Sequence, residues 1–283
     1  MFDTYLSSYK SYLLERDISK NTISAYISDI QKFCEWYQEQ GENDIAKIIM
    51  QDVIDYRDHL LKNKCSVNTV NRKIIAINKF IDYLYNTDVL QKPIKAKVIK
   101  KNAPDEFKGL TEEDFKKLRR EIHRNGTLRD ILIFELLANT AIRVSELVGL
   151  TLDDVTLRDR ESYISIIGKG NKNRKISLKP EVRDLIKEYL KKRPLTKEKY
   201  LFQGQRGSLT RTAVFRIIQE YGKRKGIEVN PHALRHTLAR KLLENNEITT
   251  VQKILGHSCI ETVRLYTQQT QEKADIAIQN VKY

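Results

Sequence analysis

His232 and Arg235 stand three residues apart in the segment Asn230-Pro231-His232-Ala233-Leu234-Arg235-His236-Thr237. Asn230 is a good helix N-cap and Pro231 a good first helical residue, so both side chains fall on one face of the first turns of a helix. A helix N-terminus attracts anions through its free N–H groups and its dipole. A titratable imidazole beside a guanidinium fork at that place can bind a phosphate and move a proton. The same spacing also describes a surface His and Arg on an ordinary helix. A zinc pair of His232 and His236 is a poorer reading, because Ala233 stands where the metalloprotease helix needs its glutamate.

Three further stretches carry similar chemistry. In Thr140-Ala141-Ile142-Arg143-Val144-Ser145-Glu146-Leu147, Arg143 and Glu146 are one helical turn apart, which is also the spacing of a common ion pair. Lys169 lies in Gly168-Lys169-Gly170-Asn171-Lys172-Asn173, a basic turn between two strand-like runs. It is not a Walker A loop, which needs G-x-x-x-x-G-K-[ST], so ATP use is unsupported. In Leu255-Gly256-His257-Ser258, Ser258 and Glu261 form a capping box that starts a helix just after His257. Tyr266 lies about two turns along it. The chain has 14 tyrosines, and a lone one is ordinarily a core or interface residue.

These side chains need a scaffold, and 283 residues suggest two domains. In the first, Ile23, Tyr26, Ile27, Ile30, Phe33, Cys34 and Tyr37 recur at three- and four-residue steps after Ser19, the mark of an amphipathic helix. Val53, Tyr56 and Leu60 with Leu61 form a second pattern. Val70, Ile74, Ile77, Ile81 and Leu84, behind the cap Ser66, form a third, and a helix over Phe2–Leu14 makes four. Residues 1–88 therefore read as a helical bundle. Residues 89–106, with Pro93 and Pro104 around a lysine run, read as a basic linker. The second domain, 107–283, opens on the capping signal Thr111-Glu-Glu-Asp114 and is α-rich. Ser162–Ile167 and Arg174–Leu178 interrupt it as a small antiparallel hairpin. The fold class is mostly α.

Residues 1–100 carry 15 Lys and Arg against 13 Asp and Glu, whereas residues 101–283 carry 36 against 24. The second domain is thus the one that attracts phosphate polyanions, unless its lysines are merely a solvated surface. Three scattered cysteines, Cys34, Cys65 and Cys259, make neither a disulfide framework nor a zinc cluster. No run reaches the ~20 apolar residues of a membrane helix, and the N-terminus carries no secretory signal. A reducing, cytoplasmic, nucleoid-associated setting without membrane contact is expected.

Each motif is weak alone. Their order is specific: A-x-R-x-S-E-L, then G-K-G-N-K on a hairpin, then H-x-L-R-H, then L-G-H, then a tyrosine. This series resembles the tyrosine recombinase (phage-integrase) family, in particular its short, Xer-like bacterial members. The resemblance covers nearly the whole chain, with the helical domain similar to the family's core-binding domain.

The resemblance implies a site-specific recombinase that cleaves and rejoins double-stranded DNA through a 3′-phosphotyrosine, with no metal, ATP or other cofactor. It implies that Arg143 and Arg235 hold the non-bridging oxygens of the scissile phosphate and that Lys169 protonates the departing 5′-oxygen. His232 would act in proton transfer near the attacking tyrosine, His257 would hydrogen-bond the phosphate, and Tyr266 would be the nucleophile. Glu146 would orient the site. The chemistry suits these types: guanidiniums stabilise the charge gathered at phosphorus, a phenol of pKa near 10 needs help to attack, and an alkoxide needs an acid to leave.

The resemblance further implies a homotetramer, or a heterotetramer with a paralogue, on two duplexes, acting in resolution or integration of DNA elements such as transposons. After Tyr266, the stripe Ala274, Ala277, Ile278 and Val281 reads as a short helix lent to a neighbouring subunit or docked on its own domain. The rival readings are a type IB topoisomerase and a DNA-binding regulator that does not cut.

Overall fold

The computed structural model describes residues 2–100, 109–159, 161–167, 173–194, 199–204 and 207–255. Lys169, His257, Tyr266 and the tail stripe at 274–281 lie outside them. The chain divides into two compact units, Met1–Pro104 and Asp105–Tyr283.

The first unit is built from α1 (Phe2–Leu14), α2 (Lys20–Glu39), α3 (Met50–Lys62) and α4 (Val67–Asn86), with a 3₁₀ turn at Ile45–Lys47. The caps act where the sequence places them: the Ser19 hydroxyl accepts from the Thr22 N–H, and the Ser66 hydroxyl from the Thr69 N–H. The apolar stripes then meet in one core. Ile30, Phe33, Ile74, Ile77 and Ile81 are fully buried, and Tyr9 packs on Phe80 at 5.2 Å between ring centroids.

The first part of the expected linker belongs to this core. Leu90 and Ala96 are buried in it. The Asn78 side chain donates to the Ala96 carbonyl at 2.9 Å and accepts from its N–H at 3.0 Å. Asn71 does the same with Ile99, at 2.9 and 2.8 Å. A carboxamide presents the donor and acceptor of a peptide group, so two asparagines on α4 strap down an extended segment much as a neighbouring strand would. The lysines of the segment, Lys92, Lys95, Lys97 and Lys100, stay exposed. The composition of 89–100 reads as linker because its contacts are made by one buried and one half-buried amide and by two buried apolar residues. Residues 101–106 lie outside the described part.

The second unit is organised around α6 (Leu128–Thr140), in which Leu132, Ile133, Phe134, Leu136 and Leu137 are all buried. Loss of a ring so placed ordinarily costs about 3–5 kcal/mol. Around α6 lie α5 (Glu112–Asn125), α7 (Val144–Gly149), α8 (Pro180–Lys192), α9 (Arg211–Lys223) and α10 (Pro231–Leu243), and α11 (Ile248–Leu255) packs on α10. Thr111, Thr127, Thr210 and Asn230 cap α5, α6, α9 and α10 through their side-chain oxygens.

The expected hairpin is present as β2 (Ser162–Ile167) and β3 (Asn173–Ser177), paired so that Ile166 faces Arg174. A third strand, β1 (Val155–Leu157), pairs antiparallel with β2, and a short ladder joins β4 (Gln203–Gly204) to β5 (Gly207–Ser208). Sequence periodicity does not register these, because two or three residues are too few to show alternation. Among the described residues no helix is long and apolar enough to cross a membrane.

Candidate active site

Arg143 stands at the N-cap of α7, immediately after the helix that forms the centre of the core. The turn between them is made by Ala141, whose backbone is left-handed at φ 50° and which is buried. A non-glycine residue there carries a penalty of about 1–2 kcal/mol, so the surroundings must hold it. They do: the Ala141 carbonyl accepts from Nη1 of Arg235, and the Ala141 side chain packs in a small cluster with Ala239, Val251 and Leu255.

Arg235 is only 6% exposed. Its Nη2 donates to the Leu255 carbonyl. One guanidinium therefore closes the C-terminal ends of α6 and α11, where helix dipoles place partial negative charge. The sequence places Arg235 on the first turns of α10, and the structure buries it among backbone carbonyls.

Glu146 lies one turn beyond Arg143 and its side chain is 9% exposed. Its carboxylate accepts from the Arg143 N–H at 2.8 Å and from Arg143 Nη1 at 2.7 Å. Burial pushes the carboxyl pKa up, but hydrogen bonds from Arg174 and Arg143 outweigh it and hold the group below the usual carboxylate range. Glu146 is thus ionised at neutral pH and fixes the start of the Arg143 side chain.

Arg174 was not singled out by its sequence context, yet it is the second partner of Glu146. It donates from Nη1 at 3.1 Å and from Nη2 at 2.8 Å. One signal was available: Arg174 alternates with Ile176, which is buried, so it is a charge at an inward position of a strand.

A cleft of about 560 Å³ is lined by Arg143, Val144, Ser145, Arg211, Thr212, Phe215 and His232. The first residues of the two 13-residue helices α9 and α10 face it together, and their N-terminal N–H groups and dipoles favour an anion. Arg143 and His232 meet there from separate helices, while Arg235 and Glu146 are not among the lining residues. A cleft of about 570 Å³ in the helical unit, around Asp29, Arg72 and Lys73, holds none of the motif residues, so the cleft at His232 is the better candidate.

His232 packs edge-on against Phe215 at 5.9 Å. The residue is exposed to solvent. Partial desolvation, then the charges of Arg235 and Arg143, push its pKa below the ordinary 6.5. It is neutral at pH 7 and able to accept a proton.

A direct consequence is testable in the free protein. The His232 resonance should titrate below pH 6.5, and Arg143→Gln should move the midpoint upward by removing one positive neighbour. The sign for stability follows: the unfolded chain takes up this proton first, so the group leaves stability unchanged above 6.5 and lowers it as pH falls below that value. A midpoint that ignores Arg143 in an NMR titration would separate the two residues electrostatically.

Residues 6–88 match the phage integrase N-terminal SAM-like domain, and residues 108–273 match the phage integrase family. The chain is similar to the tyrosine recombinase XerA of Pyrococcus furiosus, at 31% identity over 280 residues, covering 97% of this chain and 92% of that protein. A crystal structure of XerA recombinase aligns at 27% identity with a TM-score of 0.53, over 99% of this chain and 100% of the other. A XerH site-specific recombinase bound to palindromic difH substrate, in a post-cleavage complex, shares the fold. Its TM-score is 0.74 at 23% identity, over 91% of this chain and 79% of the other.

Proposed function

Because this chain belongs to the phage integrase family, as a short Xer-like tyrosine recombinase, we propose that the cleft at Arg143 and His232 receives the scissile phosphate of DNA. The chain is a site-specific recombinase that breaks and rejoins DNA. It acts on DNA within a multimeric synapse, which we assign as a tetramer of this chain or of this chain with a paralogue.

The observation that carries the assignment of the site is the meeting of Arg143 and His232 in one cleft. A phosphodiester under attack gathers charge on its non-bridging oxygens; Arg143 lines the cleft that would receive it, and the resemblance gives Arg235 the same role. The Tyr266 oxygen attacks phosphorus, its proton passing to His232, and the bond from phosphorus to the 5′-oxygen breaks. Lys169 gives that oxygen a proton, and His257 hydrogen-bonds the phosphate. The product is a 3′-phosphotyrosine and a free 5′-hydroxyl. The phosphodiester bond energy is kept in the ester to tyrosine, so resealing needs no nucleotide. The basic excess on residues 101–283 draws the duplex in.

The test uses a duplex selected for binding from a random pool, in EDTA and without ATP. A protein–DNA adduct stable on a denaturing gel, and strand exchange between two copies of the duplex, are the expected results. Cleavage that stops on chelation and returns with magnesium would overturn the arginine-based chemistry. Relaxation of a supercoiled circle with no exchange between sites would reassign the chain as a type IB topoisomerase.

A further inference from the structure

We propose that Arg174 is a positioning residue for strand cleavage: through Glu146 it fixes the direction of the Arg143 guanidinium and offsets the carboxylate charge that faces it. The proposal rests on the recombinase reading above.

The geometry is closed. A carboxylate has about four lone-pair sites. On Glu146 all are taken, two by Arg143 and two by Arg174, at 2.7 to 3.1 Å. Arg174 grips one oxygen with each terminal nitrogen, a bidentate arrangement that sets the plane of the carboxylate as well as its place. The Arg143 side chain and backbone then bond to oxygens that cannot rotate. Glu146 comes from α7 and Arg174 from β3, so the pairing also ties β3 to the helix that Arg143 caps.

The charge count points the same way. Glu146 alone against Arg143 would neutralise it and weaken its hold on a phosphate. With Arg174 the trio keeps a net positive charge beside the cleft. A brace with no other task would not need this arrangement. The Arg174 side chain is 18% exposed, and its Nε is buried with no hydrogen-bond partner among the described residues. Buried donors of that kind are rare, and this one is left unsatisfied while the two terminal nitrogens are committed to Glu146.

Arg174→Met removes fork and charge, Arg174→Lys keeps the charge without the fork, and Arg174→Met with Glu146→Gln removes the opposing charge as well. Each is measured on the selected duplex by gel-shift affinity and by single-turnover adduct formation. Arg174→Met should bind within about threefold of the parent chain and form adduct on the order of 10²-fold more slowly, the scale of a small misplacement of a catalytic group. Arg174→Lys should lie between. The double variant should recover part of the rate lost by Arg174→Met, because no carboxylate charge then opposes Arg143.

A merely structural arginine predicts the opposite order, with the double variant slower than the single. That order, or an unchanged rate in Arg174→Met, overturns the proposal. If Arg174→Met does not fold, Arg174→Lys decides: normal affinity with a slowed rate supports it, and a full rate overturns it. A parent chain that binds the duplex and never forms an adduct overturns the recombinase reading, and this proposal with it.

Discussion

Tyr266→Phe is expected to bind the selected duplex with the affinity of the parent chain and to form no covalent adduct at any time. The substitution removes one oxygen and keeps the ring, so DNA binding should persist while the proposed nucleophile is lost. The effect on adduct formation is complete. A phenylalanine has no atom that can form the ester, and water attack at the same phosphate would leave no protein on the DNA. Fourteen tyrosines are present, and Tyr9, Tyr37 and Tyr56 are buried in the helical unit, with phenols pushed above their ordinary range, first of all by that burial. Such groups are poor nucleophiles. Protein still linked to DNA on a denaturing gel of Tyr266→Phe would pass the role to another residue, and peptide mapping of the adduct would identify it.

Arg235 should give the second-largest effect, and one that divides into two. On the role proposed for it, Arg235→Ala removes a donor to the phosphate, a loss ordinarily worth about 10²–10³ in rate. It also leaves the carbonyls of Ala141 and Leu255 without the partner they have now. Unsatisfied buried groups of this kind cost about 1–3 kcal/mol each. The melting temperature should drop by roughly 2–4 °C for each kcal/mol lost in a unit of this size. Arg235→Lys keeps the charge but cannot reach both carbonyls as a fork, so it should regain part of the stability and little of the rate. The comparison separates the two functions of the residue. A normal melting temperature in Arg235→Ala would show that the helix ends do not depend on this guanidinium. A normal cleavage rate would remove Arg235 from the chemistry.

The left-handed Ala141 links the two effects. It turns the chain from the buried α6 into the α7 that begins at Arg143. Arg235 holds its carbonyl in that turn. The two arginines read from the sequence as separate phosphate ligands are therefore coupled through one strained residue between them. Variants at Arg235 should for this reason be non-additive with variants at Arg143.

Most of the helices could be read from the chain because their causes are local. Ser19, Ser66, Thr111 and Asn230 each satisfy an N–H three residues ahead. The stripe from Val70 to Leu84 repeats within a single helix and is buried along its whole length. The pairing of Arg143 with Glu146 is also local, one turn apart. What stayed hidden depends on residues distant in the chain. Glu146 and Arg174 are 28 positions apart, and Arg235 and Ala141 are 94 apart. No periodicity in either segment announces its partner. The strap at 89–100 reads as linker for the same reason, since Asn71 and Asn78 look like ordinary polar positions of a helix until the chain returns to them.

The sequence by itself determined the residue types available for phosphate chemistry, the helices that carry them and the basic charge that draws DNA. These follow from side-chain pKa values, helix periodicity and composition, which need no partner at a distance. Only the tertiary structure decided that Arg143 and His232 share a cleft, that Arg235 is buried at two helix ends, and that Glu146 is held by a second arginine from a strand. Those outcomes rest on close packing and on filling every lone pair of a buried carboxylate, and both conditions are set by how distant segments come together in space.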